Sequence, residues 1–158
     1  MMRRRSLVSL ILSVLLLGLG FTGAVSANSS NFRAHLSGDE EVPAVDTRAT
    51  GQANFKFNET DGELEFKLIV ANIDDVFAAH IHCGEFGVNG PVGVTLFGGE
   101  TVSVNGILSQ GTILAPDEGN ACGWEDLEDV ITAMESGGTY VNVHTTDNPG
   151  GEIRGQVR

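Results

Sequence analysis

Thr139-Tyr140-Val141-Asn142-Val143-His144 alternates polar and apolar side chains with a period of two, the pattern of a strand with one buried face. Val141 and Val143 face a core in this reading, and Tyr140, Asn142 and His144 face away from it. Next comes Asp147-Asn148-Pro149-Gly150, whose proline and glycine suit a type II turn, and from Gly151 to Val157 the extended pattern resumes. The two runs should therefore pair as a hairpin. Matching their apolar faces sets Val143 opposite Ile153 and Val141 opposite Gly155. On the polar face the same register opposes His144 to Glu152, Asn142 to Arg154 and Tyr140 to Gln156.

A second stretch, Ala79-His80-Ile81-His82-Cys83, has the same build: Phe77, Ala79 and Ile81 fall on one face, and Ala78, His80 and His82 on the other. The polar faces of the two stretches are expected to meet, which would gather three of the four histidines. Working outward, Phe32, Ala34 and Leu36 alternate in a first strand. Ala53, Phe55 and Phe57, then Leu64, Phe66, Leu68 and Val70, read as a hairpin with one wet face. Polar breaks fall at Asp39-Glu40-Glu41-Val42-Pro43 and at 72–75. Pro91 to Phe97 is a further strand, whereas the glycines and serines of 101–114 leave its register open. Only Leu127, Val130, Ile131 and Met134 keep helical spacing, with Glu125 and Asp126 at the start and Gly137-Gly138 beyond the end. Seven or eight strands and one short helix predict an all-β fold. The expected architecture is a two-sheet antiparallel Greek-key sandwich, immunoglobulin-like or superoxide-dismutase-like.

Arg3-Arg4-Arg5, an apolar run from Leu7 to Phe21 and the small residues Val25-Ser26-Ala27 form an export signal, so residues 1–27 are expected to be cut off and 28–158 to form one domain. The product would be secreted, extracellular or periplasmic, with no membrane anchor left after cleavage. The chain carries 9 basic and 21 acidic residues, a net charge of −12. Such a surface disfavours nucleic acid and suits cations. Two cysteines in an exported chain predict one disulfide, Cys83 to Cys122.

Leu36-Ser37-Gly38 with Glu41-Val42-Pro43, Ala79-His80-Ile81-His82-x-Gly84, Tyr140-Val141-Asn142-Val143-His144-Thr145 and Pro149-Gly150-Gly151-Glu152-Ile153-Arg154-Gly155-Gln156 together resemble the chordin domain (CHRD) family, from Phe32 to Val157. The resemblance implies an extracellular β-sandwich module with no known reaction, acting in binding or in a matrix, its partner an extracellular protein or surface component. The Cys83 and Cys122 pair is not part of that family's pattern. A fainter likeness is to the copper/zinc superoxide dismutases, in which a His-x-His strand and a later histidine hold copper. His80, His82 and His144 could imitate that half-site, but four histidines are too few for the zinc half.

Two readings of the polar face follow. In one, His80, His82 and His144 bind copper or zinc, Glu152 orients His144, and Glu41, Asn142 and Arg154 stand around them. In the other, His80, His82, Asn142, Glu152 and Arg154 satisfy one another by hydrogen bonds, with no cofactor and with Arg154 and Glu152 as a salt-bridged pair. No Gly-x-Ser-x-Gly elbow, His-Glu-x-x-His helix or Walker loop is present to suggest an enzyme. Tyr140, Trp124 and the exposed-face His35 read as packing or surface residues.

Overall fold

The computed structural model describes residues 29–158, so the expected export signal lies outside the described residues. The chain order is β1 (Ser29–Ser37), a 3₁₀ turn (Gly38–Glu40), β2 (Thr50–Asn58), β3 (Glu63–Cys83), β4 (Val92–Ile113), α1 (Leu127–Glu135), β5 (Thr139–Thr145) and β6 (Ile153–Gln156). All the strand pairings are antiparallel. The β class and the one α-helix among the described residues are as expected. In place of two separate sheets there is one sheet, ordered β2-β1-β6-β5-β3-β4, which a further β2–β3 pairing closes into a five-stranded barrel.

Closure depends on the length of β3. Its first half pairs with β2, Leu68 lying against Ala53, and its second half pairs with β5, Ile81 lying against Val141. The polar break expected at 72–75 does not end the strand. Asn72 and Asp75 take positive φ angles, and successive bulges bend β3 while β4 stays paired along it. Two expected strands merge there, and two more merge in β4, so the count among the described residues falls to six. A bulge inserts an extra residue and sharpens the local twist, which lets one strand serve two parts of a curved sheet.

Inside the barrel Leu36, Leu64, Leu68, Val70, Val76, Ile81, Val141, Val143 and Ile153 are fully buried. α1 covers one end with Leu127, Val130, Ile131 and Met134, the four residues of the helical pattern. Its N-cap is Asp126, whose carboxylate accepts the Asp129 N–H at 3.1 Å. The Cys83–Cys122 disulfide is formed and ties the end of β3 to the segment before α1. Among the described residues no helix is long and apolar enough to cross a membrane.

The hairpin of β5 and β6 has the expected register: Val143 opposes Ile153, Val141 Gly155, Asn142 Arg154 and Tyr140 Gln156. Its turn differs. The Gly151 N–H donates to the Asn148 carbonyl at 3.0 Å, but the positive φ (128°) falls on Gly151 and not on Gly150, so the turn is not type II. Gly151 has to pass close to other side chains: a Cβ there would lie 2.4 Å from Asn142 Oδ1 and 2.7 Å from Glu41 Oε1.

Candidate metal centre

His80 and His82 stand on β3 and His144 on β5, on the side of the sheet away from the core. The register Ala78–His144, His80–Asn142, His82–Tyr140 makes the three histidines neighbours. Ring centroids are 5.0 Å apart for His80 and His144, 5.6 Å for His80 and His82, and 5.8 Å for His82 and His144. One nitrogen from each ring lies within 4.8 Å of the other two. The face is covered: His82 and His144 are 7% and 8% exposed, and His80 is half-buried.

Backbone carbonyls fix two of the tautomers. His82 Nδ1 lies 2.9 Å from the Gly90 carbonyl oxygen, and His144 Nδ1 lies 3.1 Å from that of Pro149. A carbonyl only accepts, so each Nδ1 carries the proton and each Nε2 is left with a bare lone pair. His82 Nε2, His144 Nε2 and His80 Nδ1 are all buried, and among the described residues none has a hydrogen-bond partner. Burial removes the hydration that would stabilise imidazolium. It lowers the pKa of His80 and His82 to about 4 and lowers that of His144 too, against the pull of the Pro149 carbonyl. The three rings are neutral at pH 7, as metal ligands must be.

The surroundings correct three expectations. Glu152 does not reach His144. Its carboxylate accepts the hydroxyls of Thr47 at 2.7 Å and Thr145 at 2.6 Å and the Asn148 amide at 3.3 Å, because the strand pairing stops at Ile153. Arg154 does not pair with Glu152. Its guanidinium, 1% exposed, donates to Asn89 Oδ1 and the Val88 carbonyl, both at 2.9 Å, and to the Glu85 carbonyl at 3.3 Å. Phe77 is the extra residue of the bulge between Val76 and Ala78, and its ring lies 6.2 Å from that of His144 instead of joining the core.

The acidic triplet divides in three: Asp39 is exposed, Glu40 accepts the Gln156 N–H, and Glu41 is buried against Asn142 at 3.4 Å. Burial pushes Glu41 up to about 7, opposed by the charge of Arg154 and the Asn142 hydrogen bond. The positioning groups missed from sequence are Tyr140, Gly90 and Pro149. Tyr140 stacks on His82 with centroids 4.7 Å apart, carries Arg154 3.5 Å above its ring centroid, and exchanges hydrogen bonds with Gly90 through its hydroxyl. Tyr140 was visible as a face-mate of Asn142 and His144. Nothing local marked the two carbonyls.

These shifts predict an acid-sensitive fold. Histidines held neutral bind fewer protons folded than unfolded, so their contribution is lost as pH falls from about 6.5 toward 4. Glu41 works the other way, with a contribution lost as pH rises from about 4.5 toward 7. Two or three imidazoles outweigh one carboxyl. The melting temperature of the metal-free chain should therefore rise between pH 4 and 6.5, and rise more steeply in Glu41→Gln. A flat profile would contradict the buried neutral trio.

The family model of the CHRD domain matches residues 32–157, nearly all of the described chain. No curated protein and no solved structure matches the sequence.

Proposed function

The chain belongs to the CHRD domain family, and from that premise we propose that it is an extracellular module that holds one copper or zinc ion between His80, His82 and His144. The observation that carries this reading is that one ring nitrogen from each histidine converges within 4.8 Å, while His82 Nε2, His144 Nε2 and His80 Nδ1 are buried with no hydrogen-bond partner among the described residues. A hydrogen-bonded network would give those nitrogens partners. Here the polar neighbours are engaged elsewhere, Glu152 with Thr47 and Thr145 and Arg154 with the 84–90 loop. Imidazole suits zinc and copper. The Gly90 and Pro149 carbonyls supply the outer hydrogen bonds that orient such ligands. The Cys83–Cys122 disulfide supports an oxidising location outside the cytosol.

The test is metal analysis of the untagged chain after loading with copper or zinc and dialysis. One ion per chain is expected, with affinity falling more than about 100-fold in His82→Ala or His144→Ala and changing little in Glu152→Gln. Failure of the wild-type chain to retain stoichiometric metal, or retention by both histidine variants, would overturn the assignment.

A further inference from the structure

A different surface carries a second chemistry. Among the described residues the cations are Arg33, Arg48, Lys56, Lys67, Arg154 and Arg158, and Arg154 is buried. Of the other five, Arg33, Lys56, Lys67 and Arg158 gather on the outward face of β1, β2 and the first half of β3, together with His35. Arg158 is fixed there by a reciprocal pair of backbone hydrogen bonds with Arg33, at 2.8 and 2.9 Å. In a chain of net charge −12 this is a marked segregation.

The strand registers order these side chains into rows. Arg33 opposes Asn54, Asn54 opposes Lys67, and Lys67 opposes Gln110, so one line across four strands reads cation, amide, cation, amide. With strands about 4.8 Å apart, Arg33 and Lys67 are spaced by about 10 Å. A neighbouring row reads Asn31, Lys56, Glu65, Thr112. Three shallow hollows of 470, 390 and 340 Å³ lie along this face. The first two share Asn31, Asn54 and Phe55, and the second and third share Arg33 and Arg158, so they join into one open track.

We propose that this track binds a strand of acidic polysaccharide, its cations meeting carboxylate or sulfate groups and its amides meeting the hydroxyl groups between them. An open trough fits a polymer better than a small anion, which calls for an enclosed pocket. Alternating cations and amides fit a chain whose charges are separated by neutral hydroxylated units. Glu65 and Glu40 border the track, which disfavours densely charged polyanions. Nucleic acid is further disfavoured because neither row presents an aromatic ring on which a base could stack. The site is independent of the histidine trio.

The experiment is affinity electrophoresis of the described domain within the full chain, at an ionic strength of about 0.15 M, where screening damps whole-molecule repulsion but spares direct contacts. The probes are hyaluronate and κ-carrageenan, which alternate a carboxylate-bearing or a sulfate-bearing sugar with an uncharged one, together with neutral dextran and single-stranded DNA. Retardation by hyaluronate or by κ-carrageenan is expected and identifies which acidic group is taken; neutral dextran should have no effect. Arg33→Glu should weaken binding about tenfold and Arg33→Glu with Lys67→Glu should abolish it, whereas Arg48→Glu, which lines none of the hollows, should change it less than about twofold. All these positions are exposed, and unchanged melting temperatures would verify folding. The proposal is overturned if neither acidic polymer retards the chain, if Arg48→Glu is as damaging as Arg33→Glu, or if single-stranded DNA binds as tightly through the same residues.

Discussion

Arg154→Met should lower stability by about 3 kcal/mol or more, because it removes a buried guanidinium and leaves its acceptors unmet. The charge is 1% exposed and makes three hydrogen bonds, to Asn89 Oδ1 and to the Val88 and Glu85 carbonyls, while lying 3.5 Å above the centre of Tyr140. Methionine fills much of the volume but offers no donor. Lysine should rescue only in part, since a single ammonium cannot reproduce the planar fork that serves Asn89 and the Val88 and Glu85 carbonyls together. Urea unfolding measures the loss. Amide hydrogen exchange should place the added opening in residues 84–91, whose Gly90 carbonyl holds the His82 ring. A loss under about 1 kcal/mol, with exchange in that loop unchanged, would mean that the guanidinium is not what anchors it.

The second large effect is expected from the disulfide. Cys83 and Cys122 are separated by 39 residues, and in the chain-entropy account, opening a loop of that length costs about 4 kcal/mol. Cys83→Ser with Cys122→Ser should therefore lower the urea midpoint strongly and steepen the transition somewhat, because the unfolded chain, freed of the cross-link, exposes more surface. The bridge follows His82 directly in sequence, yet His82 is also stacked on Tyr140 and bonded to Gly90. Loss of the bridge should thus reduce stability far more than it disturbs the trio. A double variant as stable as the wild type would show that the cross-link restrains little in the unfolded chain.

Much of this architecture was legible in local pattern. Alternation along 139–144 and 151–157, with the need to bury Val141, Val143 and Ile153, specified the hairpin register, since a slip of one residue would turn every apolar side chain outward. The same alternation placed His80 and His82 on one face, and the spacing of Leu127, Val130, Ile131 and Met134 identified the only helix among the described residues. Asn72 to Asp75 misled because a polar break and a bulged continuation look alike in sequence. What separates them is whether a neighbouring strand remains paired across the gap, and β4 does.

The sequence by itself determined the β class, the register of the last hairpin, the helix and the shared polar face of His80, His82, Tyr140, Asn142 and His144, because these follow from side-chain order over a few positions. Only the tertiary structure decided that β3 would bend and close a barrel, that Glu152 would turn to Thr47 and Thr145, and that the carbonyls of Gly90 and Pro149 would dictate which histidine nitrogens stay bare. Carbonyl direction and loop closure depend on contacts between residues far apart in the chain, whereas periodicity depends only on the covalent geometry of neighbours.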